Sequence, residues 1–254
     1  MLNIVIPMAG AGRRFAEAGY ALPKPMIPVR GVPIIKLVIR NLKPSCPHKF
    51  IFVCQRGHLN SYRLASLLSD WAPGSEVIAL DGLTDGAACT VLAAREFIDS
   101  NHDQLMIANC DQWIDINIDD YLSAMTKEES DGFIMTMQAS DPKWSFVGFN
   151  ELGSVQCVVE KQVISNEATV GIYNFRCGRD FVVSAELMIS KNIRVNGEFY
   201  VAPTYNFLIE SGKRVGVYNI GEVGKGMYGL GTPDDLDAFL KMPVLARALG
   251  DQYD

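Results

Sequence analysis

Apolar residues fall into two rhythms along this chain. Residues 2–8 (LNIVIPM) form an unbroken apolar, β-branched run that stops at a glycine-containing loop, the pattern of a strand buried on both faces. Residues 32–42 (VPIIKLVIRNL) then carry apolar positions at helical intervals, and 49–54 (KFIFVC) return to a buried strand. The alternation continues with a helix predicted over 58–71, a strand over 75–80, a helix over 87–98, a strand over 103–110 and a helix over 119–127. Strands separated by helices of ten or more residues predict a layered α/β fold built on a mostly parallel sheet.

Beyond about residue 130 the rhythm changes. GFIMTMQA, SFVGFN, SVQCVVE and TVGIYNF follow one another as strand-like runs with short polar breaks, which predicts antiparallel strands and a lid in this half. Helices return over 178–190, near 201–211 and over 234–242, with a strand over 214–220 and a short helix and frayed end after Pro243. No repeat, low-complexity tract or linker divides the chain, so it reads as one domain over 1–254, with halves at 1–130 and 131–243.

Its 254 residues, 48% of them hydrophobic, suffice for a large core. There is no run of 18 apolar residues, and the start lacks the features of a secretory signal, so a cytoplasmic protein with no membrane association is expected. The six cysteines are scattered, mostly in apolar runs, and neither they nor the three histidines have metal-ligand spacing; reduced, packed thiols are expected. The net charge of -6 hides an asymmetry. Residues 1–60 hold nine Lys and Arg against one acid, Glu17, while the remainder holds fourteen against 28. A nucleic-acid partner is not expected from so local a basic segment; a small polyphosphate fits it better. Lys36, Arg40 and Lys43, at helical intervals, read as a solvated helix face.

The basic segment includes MAGAGRRFAEAGYALPKPM (8–26). Gly10 and Gly12 allow positive φ and let backbone N–H groups approach a phosphate. The run is neither GxxxxGK[ST] nor GxGxxG, since Phe15 stands in the third glycine's place. Pro23 and Pro25 restrict their neighbours, so Lys24 is expected on a stiff, extended segment, and Arg14 offers a planar fork for phosphate oxygens. A firmly placed ammonium suits phosphoryl-transfer chemistry, where positioning and charge neutralisation dominate. Ligands of open α/β sheets bind at the carboxyl ends of parallel strands, where this loop and Asp111 both fall.

MAGAGRRF followed by PKPMIPVRGVPII resembles the signature of the sugar-phosphate nucleotidyltransferases (NDP-sugar pyrophosphorylases), GGxGTRL then PKxLxPVxGKPxI, and further pieces recur in family order to about residue 240. The likeness is strongest to the subgroup associated with capsule and lipopolysaccharide biosynthesis. It implies a Rossmann-like, GT-A-like α/β fold: a mixed, mostly parallel central sheet flanked by helices, with a small antiparallel region on the acceptor side. It further implies that Ala9, Gly10, Gly12, Arg14 and Lys24 hold the NTP phosphates, with Arg14 and Lys24 catalytic. DGAACTVLAA (85–94) resembles the family's GTAxAL helix start and adds Gly86 and Ala87 to the nucleotide side; small residues at a helix start let a ligand approach the positive end of its dipole. IANCDQWID (107–115) resembles the strand-ending (L/G)D motif, which makes Asp111 the ligand of a Mg2+ cofactor shared with phosphates. VVEKQ resembles EKP, TVGIYNF resembles GxYxF and GEFYVAPTYNFLIE resembles GExxxTD, so Glu160, Lys161, Gly171 and Glu198 fall on the acceptor side.

One departure stands out. GMYGLGTPDDL resembles WxDxGTPEDL, but Gly229 occupies the place of the Asp that often supplies a second metal carboxylate. The resemblance implies transfer of a nucleotidyl group from an NTP to a sugar 1-phosphate. Gln162 in place of the EKP proline and Gly229 leave room for a cytidylyl- or other nucleotidyltransferase acting on a non-sugar phosphate. A glycosyltransferase on a related fold would usually carry DxD, whereas Asp111 precedes Gln112 and Trp113. Base recognition is sought near Gln55 or 81–88, and oligomeric state is left open, a homo-oligomer included.

Overall fold

In a computed structural model of the chain, residues 1–250 are described and 251–254, where the frayed end was expected, lie outside the description. The run Leu2–Met8 forms strand β1, and its alternation serves two cores at once. Ile4 and Ile6 pack with the helix Ile34–Leu42 on one face of the sheet, while Val5 packs with Ile51, Val53 and the helices Ala87–Leu92 and Gly178–Ser190 on the other. A strand covered on both faces has no polar side, which is why the sequence shows a continuous apolar run.

The other strands are β2 (Pro28–Val29), β3 (Val32–Pro33), β4 (His48–Gln55), β5 (Glu76–Leu80), β6 (Gln104–Ala108), β7 (Gln112–Ile114), β8 (Gly132–Gln138), β9 (Ser145–Phe149), β10 (Val155–Glu160), β11 (Glu167–Phe175), β12 (Val215–Val223) and β13 (Gly226–Gly229). β2 and β3 make a separate antiparallel pair; the rest form one mixed sheet in the order β5-β4-β1-β6-β11-β8-β12-β13-β7. β5, β4, β1 and β6 are mutually parallel. β11 then enters antiparallel between β6 and β8, and β9 pairs antiparallel with both β10 and β11. The expected mixed α/β architecture is therefore present, with antiparallel pairing concentrated in the second half. Within that half β8 and β12 pair parallel although β9, β10, β11 and the helix Gly178–Ser190 lie between them in the chain, as periodicity alone could not show.

Three local readings are corrected. The helix expected over 58–71 is two pieces, Arg56–Tyr62 and Leu64–Trp71, broken at Arg63 with φ 51°. The first piece buries nothing and the second buries Leu64 and Leu68, so the break turns one apolar stripe towards the core. The helix expected over 87–98 is likewise two short helices, Ala87–Leu92 and Arg95–Ile98. Residues 112–114, a strand too short to read from sequence, pair with β13 and bring the segment after Gly229 over Asp111.

Candidate active site at the carboxyl ends of the parallel strands

Because β1, β4 and β6 run in one direction, the residues that follow them share one edge of the sheet. A cleft of about 520 Å³ opens there, lined by Ala9, Gly10, Gly12, Arg14, Lys24 and Asp111 among others. Gly12, at φ 60°, turns the chain out of β1 into the helix Arg13–Glu17, and Gln55 at the end of β4 ties this loop down by donating from Nε2 to the Ala9 carbonyl at 2.7 Å. Gln55, near which base recognition was sought, thus has its Nε2 engaged with this loop.

Lys24 does not sit on an extended segment. It opens a 3-10 turn, Lys24–Met26, closed by Met26 N–H donating to the Pro23 carbonyl at 2.8 Å, and Pro25 occupies a turn position whose φ its ring already has. The stiffness predicted from the two prolines comes from this turn. Lys24 Nζ donates to Asp111 Oδ2 at 2.8 Å, with both side chains about one quarter exposed (25% and 23%). Burial alone would lower the lysine pKa and Arg14 also opposes its charge, but the Asp111 carboxylate outweighs both and holds it above the ordinary lysine range. Gly231 leaves room beside the same oxygen, since a Cβ there would lie 2.8 Å from Oδ2.

The far wall comes from residues 83–90. Leu83, Thr84, Gly86, Ala87 and Thr90 line it, as does Arg13. Ala88 N–H at the helix start donates to the Phe199 carbonyl, and Phe199 N–H to the Asp85 carbonyl. The short helix thus spends one leading donor, Ala88 N–H, on the protein, while Gly86 and Ala87 line the cleft. Gly86, at φ 129°, faces Phe199 so closely that a Cβ would sit 2.5 Å from its backbone N and O. Gly86→Ala is expected to cost about 2–6 kcal/mol through strain and overpacking, read as a fall in Tm or urea midpoint.

A second cavity of about 260 Å³ adjoins the first, lined by Glu160, Lys161 and Gly171 and by Lys143, Trp144 and Tyr200. Lys161, at φ 56°, donates from Nζ to Tyr200 Oη at 2.6 Å and lies over that ring. Glu198 lines the larger cleft and is also near enough to Glu160, Lys161 and Tyr200 for its charge to act on all three. Glu160 is 8% exposed and accepts from the Ser145 hydroxyl. Burial pushes its carboxyl above the ordinary range, against the Ser145 bond and the Lys161 charge. Burial penalises the ionised form, so this carboxyl costs stability as pH rises. Glu160→Gln should therefore raise Tm relative to wild type as pH increases above about 4, with the gap closing at lower pH; Tm against pH for both proteins checks it.

Lys143 and Trp144 lie in no motif of the sequence, while Asn109 and Tyr200 sit inside IANCDQWID and GEFYVAPTYNFLIE and Thr84 inside 81–88, where neighbouring residues carried the expected roles. Asp235 lies in the space beside Gly229, with its Cγ 3.4 Å from where a Cβ at 229 would stand. Among the described residues, no group of three or more His, Cys, Asp or Glu side chains could hold a metal. Asp111 alone, lining the cleft with the space beside its carboxylate kept by Gly231, suits a hard cation that takes its remaining ligands from phosphates and water. No helix of the described residues is long and apolar enough to cross a membrane.

The fold matches known proteins closely. A nucleoside-diphosphate-sugar pyrophosphorylase from Vibrio cholerae RC9 superposes with a TM-score of 0.79 at 25% identity, over 94% of this chain and 100% of that one. A candidate glucose-1-phosphate thymidylyltransferase from Bacillus anthracis, solved with a sucrose, shares the fold at a TM-score of 0.75 and 16% identity, over 94% and 93% of the two chains. Among curated proteins, the bifunctional protein GlmU of Methanocaldococcus jannaschii is 24% identical over 122 residues, which is 48% of this chain and 28% of that protein. With the nucleotidyl transferase profile matching residues 4–189, the chain belongs to the nucleotidyl transferase family.

Proposed function

We propose that this protein transfers a nucleotidyl group from an NTP to a phosphorylated acceptor, a sugar 1-phosphate, forming an NDP-sugar and pyrophosphate. The observation that carries the reading is the junction of two cavities. The larger holds Arg14, Lys24 and Asp111, the smaller holds Lys161 and Glu160, and both are lined by Ala87 and Asn109. Such an arrangement suits two phosphate-bearing ligands meeting end to end.

In this reading the Gly10–Gly12 loop, with Arg14 and Lys24, cradles the NTP phosphates, and Gly86 and Ala87 border the nucleotide. Lys161 draws in the acceptor phosphate, Glu160 accepts hydrogen bonds from acceptor hydroxyls, and Gly171 leaves the chain without a side chain beside it. An acceptor phosphate oxygen attacks the α-phosphorus in line with the departing pyrophosphate; one P–O bond forms as another breaks. No protein nucleophile is required, because the attacking phosphate is already ionised. Lys24 and Arg14 neutralise charge that builds on the transferred and leaving groups. Mg2+, held by Asp111, would supply further charge neutralisation between phosphates.

The resemblance to the capsule and lipopolysaccharide subgroup supports a product used for surface polysaccharide, made in the cytoplasm where NTPs are available. The reading is tested by pyrophosphate release over a matrix of NTPs and acceptors, sugar 1-phosphates and non-sugar phosphates, with Mg2+. Release with a sugar 1-phosphate bears it out, release only with non-sugar phosphates replaces the acceptor, and sugar transfer from an NDP-sugar without pyrophosphate chemistry overturns it.

A further inference from the structure

Two residues line both cavities, Ala87 and Asn109. In a transfer between the cavities, the attacking phosphate has to stand where they meet, with one oxygen about 3–3.5 Å from the α-phosphorus and the rest of the acceptor behind it. Ala87 offers that group no polar side chain. Asn109 offers a carboxamide.

Several features hold Asn109 there. It follows β6 directly, and because β11 runs antiparallel to β6, Asn109 N–H donates to the Gly171 carbonyl at 3.0 Å. Gly171 has φ 88° and no side chain; a Cβ at that position would lie 2.2 Å from Asn109 Nδ2 and 2.9 Å from its Cγ. The glycine is therefore what gives the carboxamide its space. Gln112, 5% exposed, crowds the same point from a second direction, with Oε1 3.0 Å from it. Among the described residues the Asn109 carboxamide makes no hydrogen bond to the protein.

We infer that Asn109 contacts the acceptor, donating a hydrogen bond from Nδ2 to a non-attacking oxygen of its phosphate; this rests on the two-cavity reading above. A neutral donor is the chemistry the junction calls for. A third cation beside Lys24 and Lys161 would bind the phosphate more tightly and also drain charge from the attacking oxygen, whereas an amide aligns the group and leaves it nucleophilic.

The test compares Asn109→Leu, Asn109→Asp and wild type, using the acceptor that gives turnover with wild type. Asn109→Leu should lower kcat/KM for that acceptor about ten- to a hundredfold. Asn109→Asp, nearly the same shape but anionic, should lower it further. Stabilisation of each protein by NTP with Mg2+, read as a shift in Tm, should stay at the wild-type level for Asn109→Leu. A purely structural role reverses the ranking, since the isosteric Asp would then be the milder change, and that result overturns the inference. So does unchanged acceptor kinetics in Asn109→Leu, or loss of its nucleotide stabilisation. A wild type that releases no pyrophosphate with any pairing removes the two-cavity reading and this inference with it; wild-type turnover with an unaffected Asn109→Leu removes the inference alone.

Discussion

Lys24→Met is expected to lower kcat about a thousandfold, with a smaller rise in KM for the NTP and little change in KM for the acceptor. The ammonium is presented by a 3-10 turn between two prolines, so little ordering is left to be done when the phosphates arrive. Its present partner is Asp111, at 2.8 Å, and a bound polyphosphate offers several oxygens in exchange for one. Methionine keeps most of the stem and removes the charge, which separates the electrostatic role from packing. The fold should survive: the ion pair is about a quarter exposed on each side, and its loss should cost about 1–2 kcal/mol, visible as a modest fall in Tm. Because Asp111 holds the Lys24 pKa above the ordinary lysine range, the ammonium stays charged throughout pH 6–9. Its contribution is fully present below the ordinary lysine pKa and is lost only as pH climbs through the raised one. The wild-type to Lys24→Met ratio should accordingly be flat across that window. A ratio that collapses between pH 6 and 9 would mean that another group sets the charge at the site.

Asp111→Asn is expected to reduce kcat/KM about a hundred- to a thousandfold, through several kcal/mol of lost charge stabilisation at about 1.4 kcal/mol per tenfold. The substitution keeps the shape and one oxygen, so the loop that ends β6 and the bond from Leu230 N–H to the Asp111 carbonyl, 2.7 Å long, are undisturbed. What goes is the carboxylate charge, both as partner of Lys24 and as ligand of a divalent cation. The two roles come apart in a Mg2+ titration. A metal ligand predicts that activity of Asp111→Asn is partly restored by raising Mg2+, with a higher half-saturation point; a role limited to orienting Lys24 predicts a defect that Mg2+ does not touch.

Much of this site is legible in the sequence because one rule governs it: residues that end parallel strands meet at one edge of the sheet. The run Leu2–Met8 announces a strand buried on both faces, and the order of strands and helices to residue 127 puts the glycine loop, Lys24 and Asp111 within reach of one another, as the 2.8 Å pair bears out. The second half obeys no such rule. Asn109 meets Gly171 only because β11 slots in antiparallel beside β6, a pairing between residues 62 apart in number with no spacing signal of its own. Tyr200 reaches Lys161 from a segment without regular strand or helix, and Lys143 and Trp144 from the turn before β9. Gly229 reads in the sequence as a missing carboxylate. In three dimensions the space beside it is taken up by Asp235, six residues further on, because the helix Pro233–Phe239 begins with Thr232 capping the Asp235 N–H and folds back over the strand. Breaks such as that at Arg63 are illegible for a different reason, since they answer to which residues the core can cover and leave the local helical pattern intact.

The most direct measurement follows the phosphorus. The protein is incubated with Mg2+, a sugar 1-phosphate and an NTP labelled at either the α- or the γ-phosphorus, and the products are separated. Nucleotidyl transfer predicts that α-label appears in a nucleotide joined to the sugar through a diphosphate, that γ-label appears in pyrophosphate in equal amount, and that both stop when the acceptor is left out. Label from the γ-position on the acceptor, or α-label that stays in free nucleotide whatever phosphate is supplied, would contradict it.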